Sequence, residues 1–311
     1  MGGKKNKLSM TNNDDLILIL RLYDGLRSSI RNNDWNPTGV PAIYKLIETL
    51  SRSNIKFKIY FYLLDQDYRF HKNEELFINQ LNLNVKILTS PIKSKLIFGK
   101  IKTIVDLFYF SLISLYIASK NKPKLIYTDR GNILGACLIS KFVNVDIIVR
   151  LLGITTDFYN FMKSGTILSK IFKYAYKSNF NTIISTQDGS SINTFVDEFI
   201  NCNTKTYLKI NGINKKKFAS LKNNKKLIIF AVGRIEEKKG IDVLINTTSM
   251  LPKVVRENIK INIIGDGSKI KKMQSLCNRK KVDNIINFFG PIKHEKINDY
   301  LLKGDLYISL N

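Results

Sequence analysis

Short apolar runs of strand length alternate along this chain with stretches of helical spacing, and the series stops once and starts again. Residues 16–22, 57–64, 85–88, 125–128, 146–151, 182–185 and 206–210 read as strands. Residues 40–50, 100–119, 134–142, 167–176 and 192–199 read as helices between them. Runs that are apolar on both faces, joined through helices, belong to parallel sheets with right-handed crossovers. A second series follows: strands at 227–232, 261–264, 286–289 and 306–310, with helices at 242–250, 270–278 and 296–302. The break between the series carries Asn211-Gly212 and then a basic, polar run, which reads as a linker. The expected architecture is α/β, with two Rossmann-like domains at 12–210 and 226–311 and a linker at 211–225.

Composition narrows the function classes. The chain has 311 residues, 44% of them hydrophobic, enough for two buried cores. Cys137, Cys202 and Cys277 lie far apart with no CxxC pair, which excludes a disulfide framework or a zinc ribbon. Only His71 and His294 could serve as imidazole ligands, so no metal site is expected. The start, 1–15, is polar and does not read as a secretory signal.

The formal net charge of +25 invites an anionic partner. The excess is spread evenly, with 29 basic against 16 acidic residues up to residue 210 and 21 against nine beyond it. Abundant Lys, Asn and Ile together fit the codon usage of an AT-rich genome. A lipid surface is the alternative, with peripheral contact at an anionic membrane. No helix-turn-helix, RNP or zinc-finger pattern supports nucleic acid. Residues 104–118 are strongly apolar but shorter than a span and carry Asp106, which favours a helix packed on a sheet over an interfacial anchor.

Ligands of open parallel sheets sit at the carboxyl ends of the strands. Strand 227–232 ends in Gly233-Arg234, and Lys239-Gly240 follows before the next helix. Two cations beside a glycine suit a diphosphate, the guanidinium as a fork and the ammonium as a point charge. The same residues also read as an ordinary solvated turn. Strand 261–264 ends in Gly265-Asp266-Gly267, ahead of a helix N-terminus fit for an anion or ribose. Strand 286–289 ends in Phe289-Gly290-Pro291. Three successive strand ends marked by glycine are more specific than any one of them.

These residues carry a resemblance. Val232-Gly233-Arg234, Lys239-Gly240-Ile241-Asp242, Ile264-Gly265-Asp266-Gly267, Phe288-Phe289-Gly290 and Asp305-Leu306-Tyr307-Ile308 together resemble the donor domain of family 4 glycosyltransferases. Asn211-Gly212-Ile213-Asn214 with Phe218 is similar to that family's linker. The likeness runs over 205–311; over 12–204 it is architectural only. It implies a GT-B fold, a nucleotide-sugar donor, sugar transfer with retention at the anomeric carbon, and no required metal or other cofactor. It implies that Gly233, Arg234 and Lys239 bind the donor diphosphate, and that Gly265, Asp266, Gly267, Phe289 and Gly290 border the nucleotide. The family continues with two glutamates eight positions apart, whereas this sequence stops at Asn311, so the second domain is expected to be incomplete.

In the first domain, Tyr23 to Gly39 reads as the loop after the first strand, with a helix starting near Thr38-Gly39. Asp24 and Gly39 are the acceptor-side candidates, Asp24 reading first as a polar turn residue and otherwise as an acceptor contact. Arg150 to Gly153 with Asp157 follows the strand at 146–151, where the family often has a histidine; a base role has no support. Gln187-Asp188-Gly189 reads as a helix cap. His71 and His294 read as surface residues, and no catalytic residue is assigned. The expected function is transfer of a sugar to a glycan or lipid-linked acceptor in surface polysaccharide synthesis, at the cytoplasmic face of a membrane. An inactive nucleotide-sugar-binding remnant and a nucleotide-sugar epimerase stay open as alternatives.

Overall fold

The computed structural model describes residues 14–64, 74–90, 99–187, 191–210, 225–292 and 294–309. The chain divides into two compact units between Ile213 and Asn214. Residues 211–224 of the expected linker, His71, Asp188-Gly189 and residue 310 lie outside the described residues.

The first unit runs β1 (Leu16–Arg21), α1 (Asp24–Arg31), α2 (Pro41–Ser51), β2 (Phe57–Leu63), β3 (Glu75–Ile78), β4 (Leu83–Thr89) and α3 (Gly99–Asn121). It continues with β5 (Leu125–Asp129), α4 (Ile133–Phe142), β6 (Asp146–Leu151), α5 (Thr156–Lys163), α6 (Ile167–Tyr176), β7 (Thr182–Thr186), α7 (Ile192–Phe199) and β8 (Lys205–Lys209). One eight-stranded sheet has the order β3-β4-β2-β1-β5-β6-β7-β8. β1 sits inside it and is buried on both faces. Ile17 and Ile19 pack into the core under α3 to α7, with Phe110, Leu134, Phe172 and Phe195. Leu16, Leu18 and Leu20 pack on the opposite side with Leu26, Ile43 and Ile47 of α1 and α2. A strand covered twice has no polar positions to spare, which is why Leu16 to Leu20 form one unbroken apolar run.

Three elements of this unit, β3, α1 and α5, are absent from the sequence reading. β3 pairs antiparallel with β4, so the sheet is not purely parallel. Its four residues return through a single 3₁₀ turn, closed by Asn82 in the left-handed region at φ 49°, too short a unit for a periodic signal. The supposed loop after β1 contains a helix, α1. Its Leu26, Ser29 and Ile30 face inward, and Asp24 and Arg31 occupy the ends that suit their charges. Gly25 and two serines lower the intrinsic helix propensity there, and burial overrides it. The next helix begins at Pro41, slightly later than Thr38-Gly39 suggests.

The second unit runs β9 (Leu227–Val232), α8 (Ile241–Met250), α9 (Lys253–Glu257), β10 (Ile259–Ile264), α10 (Ile270–Lys280), β11 (Ile286–Gly290), α11 (His294–Leu301) and β12 (Leu306–Tyr307). Its sheet has the order β11-β10-β9-β12, parallel throughout. Its core gathers Ile229, Ala231, Ile245, Ile261, Ile263, Met273 and Cys277. The last strand covers 306–307 rather than 306–310, pinned to β9 by Asp305, whose Oδ2 accepts from the Ile228 N–H at 2.8 Å.

Candidate functional site

In the second unit the three glycine-marked strand ends lie side by side. Ile264 pairs with Val232 on one side and with Gly290 on the other. The Gly233 N–H donates to the Ile264 carbonyl at 3.0 Å, and the Gly265 N–H donates to the Gly290 carbonyl at 2.9 Å. Gly265 is at φ 143°, and a Cβ there would lie 1.9 Å from the Gly233 carbonyl oxygen. Only glycine fits. Beside it, a Cβ on Gly233 would meet nothing within 4 Å, so that position opens on free space. Gly290, at φ 74°, ends β11 next to Phe289, whose half-exposed ring stands edge-on to Tyr300 at 5.7 Å.

Arg234 leaves β9 as an exposed residue, and Lys239 closes the 3₁₀ turn Glu237–Lys239 just before α8. The two cations therefore share one strand-end loop. That loop is tied to the next. Glu236 Oε2 accepts from Ser268 Oγ at 2.8 Å and Oε1 from the Ser268 N–H at 3.1 Å, while the Ile235 N–H donates to the Asp266 carbonyl at 2.9 Å. The Ser268 backbone and hydroxyl donors hold the Glu236 carboxyl below its usual range, with Arg234 and Lys269 adding to the effect. Asp266 turns its own carboxylate to the Gly267 N–H at 2.8 Å. This fixed, glycine-floored ledge at the carboxyl edge of a parallel sheet suits a polyanion approaching the backbone closely. The Glu236–Ser268 brace has no signature in the sequence, since its partners are 32 positions apart.

The first unit also gathers polar residues at the carboxyl ends of its strands and in the loops that follow. Asp24 lies in the first turn of α1 with a side chain 94% exposed, facing Arg27 at 3.4 Å. Gly39 precedes α2 at φ 92°. Asp129, at the end of β5, is fully buried and gathers four donors. Tyr62 Oη (2.8 Å) and the Gly131 N–H (3.1 Å) reach Oδ1, and Tyr23 Oη and the Arg21 N–H (both 3.0 Å) reach Oδ2. Burial pushes the Asp129 carboxyl up, against those hydrogen bonds, and burial with the nearby carboxylate pushes both phenols up. Arg130 donates to the Gly153 carbonyl at 3.0 Å and lies over the Phe158 ring at 4.8 Å. Arg150 is buried at the end of β6 and donates to Thr186 Oγ1 at 2.9 Å. Removing Asp129 takes the acceptor from four donors, one of them the fully buried Tyr62 hydroxyl and the other three partly buried. Asp129→Ala is expected to cost about 3 kcal/mol of stability, read by urea unfolding, and a loss under 1 kcal/mol would contradict the assigned network.

Among the described residues no three His, Cys, Asp or Glu side chains converge as metal ligands.

Residues 212–310 match the family model described as glycosyl transferases group 1, which takes in every glycine-marked strand end of the second unit. The GPI3 subunit of phosphatidylinositol N-acetylglucosaminyltransferase from Saccharomyces cerevisiae is 32% identical over 85 residues, 27% of this chain and 18% of that protein. The match therefore spans less than a fifth of that relative's length. Among solved structures, the lipopolysaccharide outer core galactosyltransferase WaaB superposes with a TM-score of 0.66 at 13% identity, over 94% of this chain and 73% of that one. Sucrose-phosphate synthase from Thermosynechococcus elongatus gives 0.65 at 13% identity, over 94% and 74%. The chain thus has the α/β fold of the GT-B glycosyltransferases, and its second unit matches the glycosyl transferases group 1 family model.

Proposed function

We propose that this protein transfers a sugar, with retention in the manner of family 4 enzymes, from a nucleotide-sugar donor to a glycan or lipid-linked acceptor in surface polysaccharide synthesis. The observation that carries the reading is the glycine-floored ledge of β9, β10 and β11 lying inside the matched domain. In this reading Gly233 and Gly265 let the donor diphosphate approach the backbone. Arg234 and Lys239 neutralise the charge that grows on the departing nucleoside diphosphate, so the reaction needs no metal or other cofactor. Asp266, Gly267, Phe289 and Gly290 border the nucleotide. The lipid acceptor in the name of the GPI3 relative favours a lipid-linked acceptor here. In this reading the transfer takes place at the cytoplasmic face of a membrane.

The test is acceptor-dependent release of nucleoside diphosphate across a panel of nucleotide sugars, with lipid-linked and soluble glycan acceptors. Release with one donor, with the anomeric configuration of that donor kept in the product, is the expected result. Inversion, or release from none of the donors, would contradict the proposal.

A further inference from the structure

We propose that the outer face of α3, α4 and α6 docks the protein on an anionic lipid bilayer. α3 is 23 residues long, and Ile101–Asn121 has a mean hydropathy of 1.6, enough by length and composition to cross a membrane. Its inner side rules out crossing. Phe110, Ser111, Ser114, Ile117 and Ala118 are buried against the sheet, and the Lys102–Asp106 ion pair is buried with them. A helix that holds up a protein core on one side lies on a membrane and does not span it.

The outer side is what needs explaining. Ile101, Phe108, Leu112 and Tyr116 are 60%, 43%, 61% and 59% exposed, the last three spaced four apart in one stripe. Between Lys102 and Lys120 the only charged side chain is the buried Asp106. A helix covering a sheet in water carries polar residues on that side. α4 packs against α3, and α6 against α4, and both extend the surface: Phe142, Ile167 and Tyr174 are more than half exposed.

The charges on this layer are all of one sign. Lys120 lies over the Tyr116 ring at 5.6 Å and Lys141 over the Tyr174 ring at 4.2 Å, and Lys170 and Lys177 are exposed. Across the three helices Asp106 is the one carboxylate, and it is buried. By contrast α7, over the same core, carries Asp197 and Glu198, and Glu198 pairs with Lys163 at 3.1 Å. The basic excess is spread along the sequence, but the lack of exposed acid is local to this layer. Apolar and aromatic side chains entering the acyl boundary, with lysines reaching anionic headgroups, is the chemistry of an interfacial surface.

The inference stands apart from sugar transfer, because its readout is lipid binding. The full chain is co-sedimented with vesicles of phosphatidylcholine alone and of phosphatidylcholine mixed with phosphatidylglycerol, at low and high salt. Binding is expected only to the anionic vesicles and is expected to weaken in high salt. Leu112→Glu with Tyr116→Glu should lower it about tenfold or more without changing the thermal melt, since both side chains point outward. Lys141→Glu with Lys170→Glu should lower it too, and the loss should track the salt dependence. Equal binding to both vesicle types, or unchanged binding by the Glu variants, would overturn the proposal. So would a dimer that the Leu112→Glu, Tyr116→Glu variant disperses while vesicles bind neither form, because the face would then serve a second copy.

Discussion

Replacing Arg234 or Lys239 with alanine is expected to lower turnover about a hundredfold or more, with the unfolding midpoint unchanged. The two cations share the loop between β9 and α8, and Arg234 is solvent-exposed. Neither is part of the unit's core, so truncation should cost little stability. The leaving nucleoside diphosphate gains charge in the transition state, and a fixed cation beside it acts there more than in the ground state. The loss should accordingly appear in kcat more than in KM. Arg234→Lys should recover only part of the rate, because an ammonium cannot fork two phosphate oxygens as a guanidinium does. Near-wild-type kcat in both alanine variants would remove the diphosphate from this loop.

The second large effect is expected at Gly265. A side chain there meets two obstacles at once. The backbone is at φ 143°, which residues with a Cβ rarely adopt, and the Cβ would sit 1.9 Å from the Gly233 carbonyl oxygen. The obstacle is backbone, so no flexible side chain can move aside. Gly265→Val should cost about 3 kcal/mol or more of stability in the second unit, measured by hydrogen exchange at β9 and β10. Exchange is expected to stay unchanged at the first unit's strands, since the substitution lies wholly inside the second. Gly233→Ala is the opposite case. Its Cβ would meet nothing within 4 Å, so stability should stay within about 0.5 kcal/mol of wild type while the added methyl fills the space assigned to the donor.

The second unit was the more legible part of the chain. Parallel strands buried on both sides write themselves as continuous apolar runs, and the glycines that close three successive strands, Gly233, Gly265 and Gly290, are legible in the sequence. What the sequence hid was held by contacts between distant positions. The Glu236–Ser268 brace joins two loops 32 residues apart. Asp129 is reached from Arg21, Tyr23, Tyr62 and Gly131, three of which lie more than 60 positions away. A local signal did exist there. Thr128-Asp129-Arg130-Gly131 puts polar residues and a glycine at the end of an apolar strand, the pattern that marked the second unit. Asp24, the acceptor-side candidate of the sequence, lies on an exposed helix turn beside Arg27. α1 and β3 escaped for opposite reasons: one has weak helix formers overridden by burial, and the other is a four-residue edge strand.

The central claim is that a nucleoside diphosphate sits on the ledge formed by Gly233, Arg234, Lys239 and Gly265. Calorimetric titration of the purified chain with UDP, GDP and ADP tests it most directly, alongside Gly233→Ala and the Arg234→Ala, Lys239→Ala double variant. Wild type should bind one of the three, and both variants should bind it about tenfold or more weakly while keeping their thermal melts, a loss of about 1.4 kcal/mol. Binding of none of the nucleotides by wild type, or equal affinity in wild type and both variants, would contradict the claim.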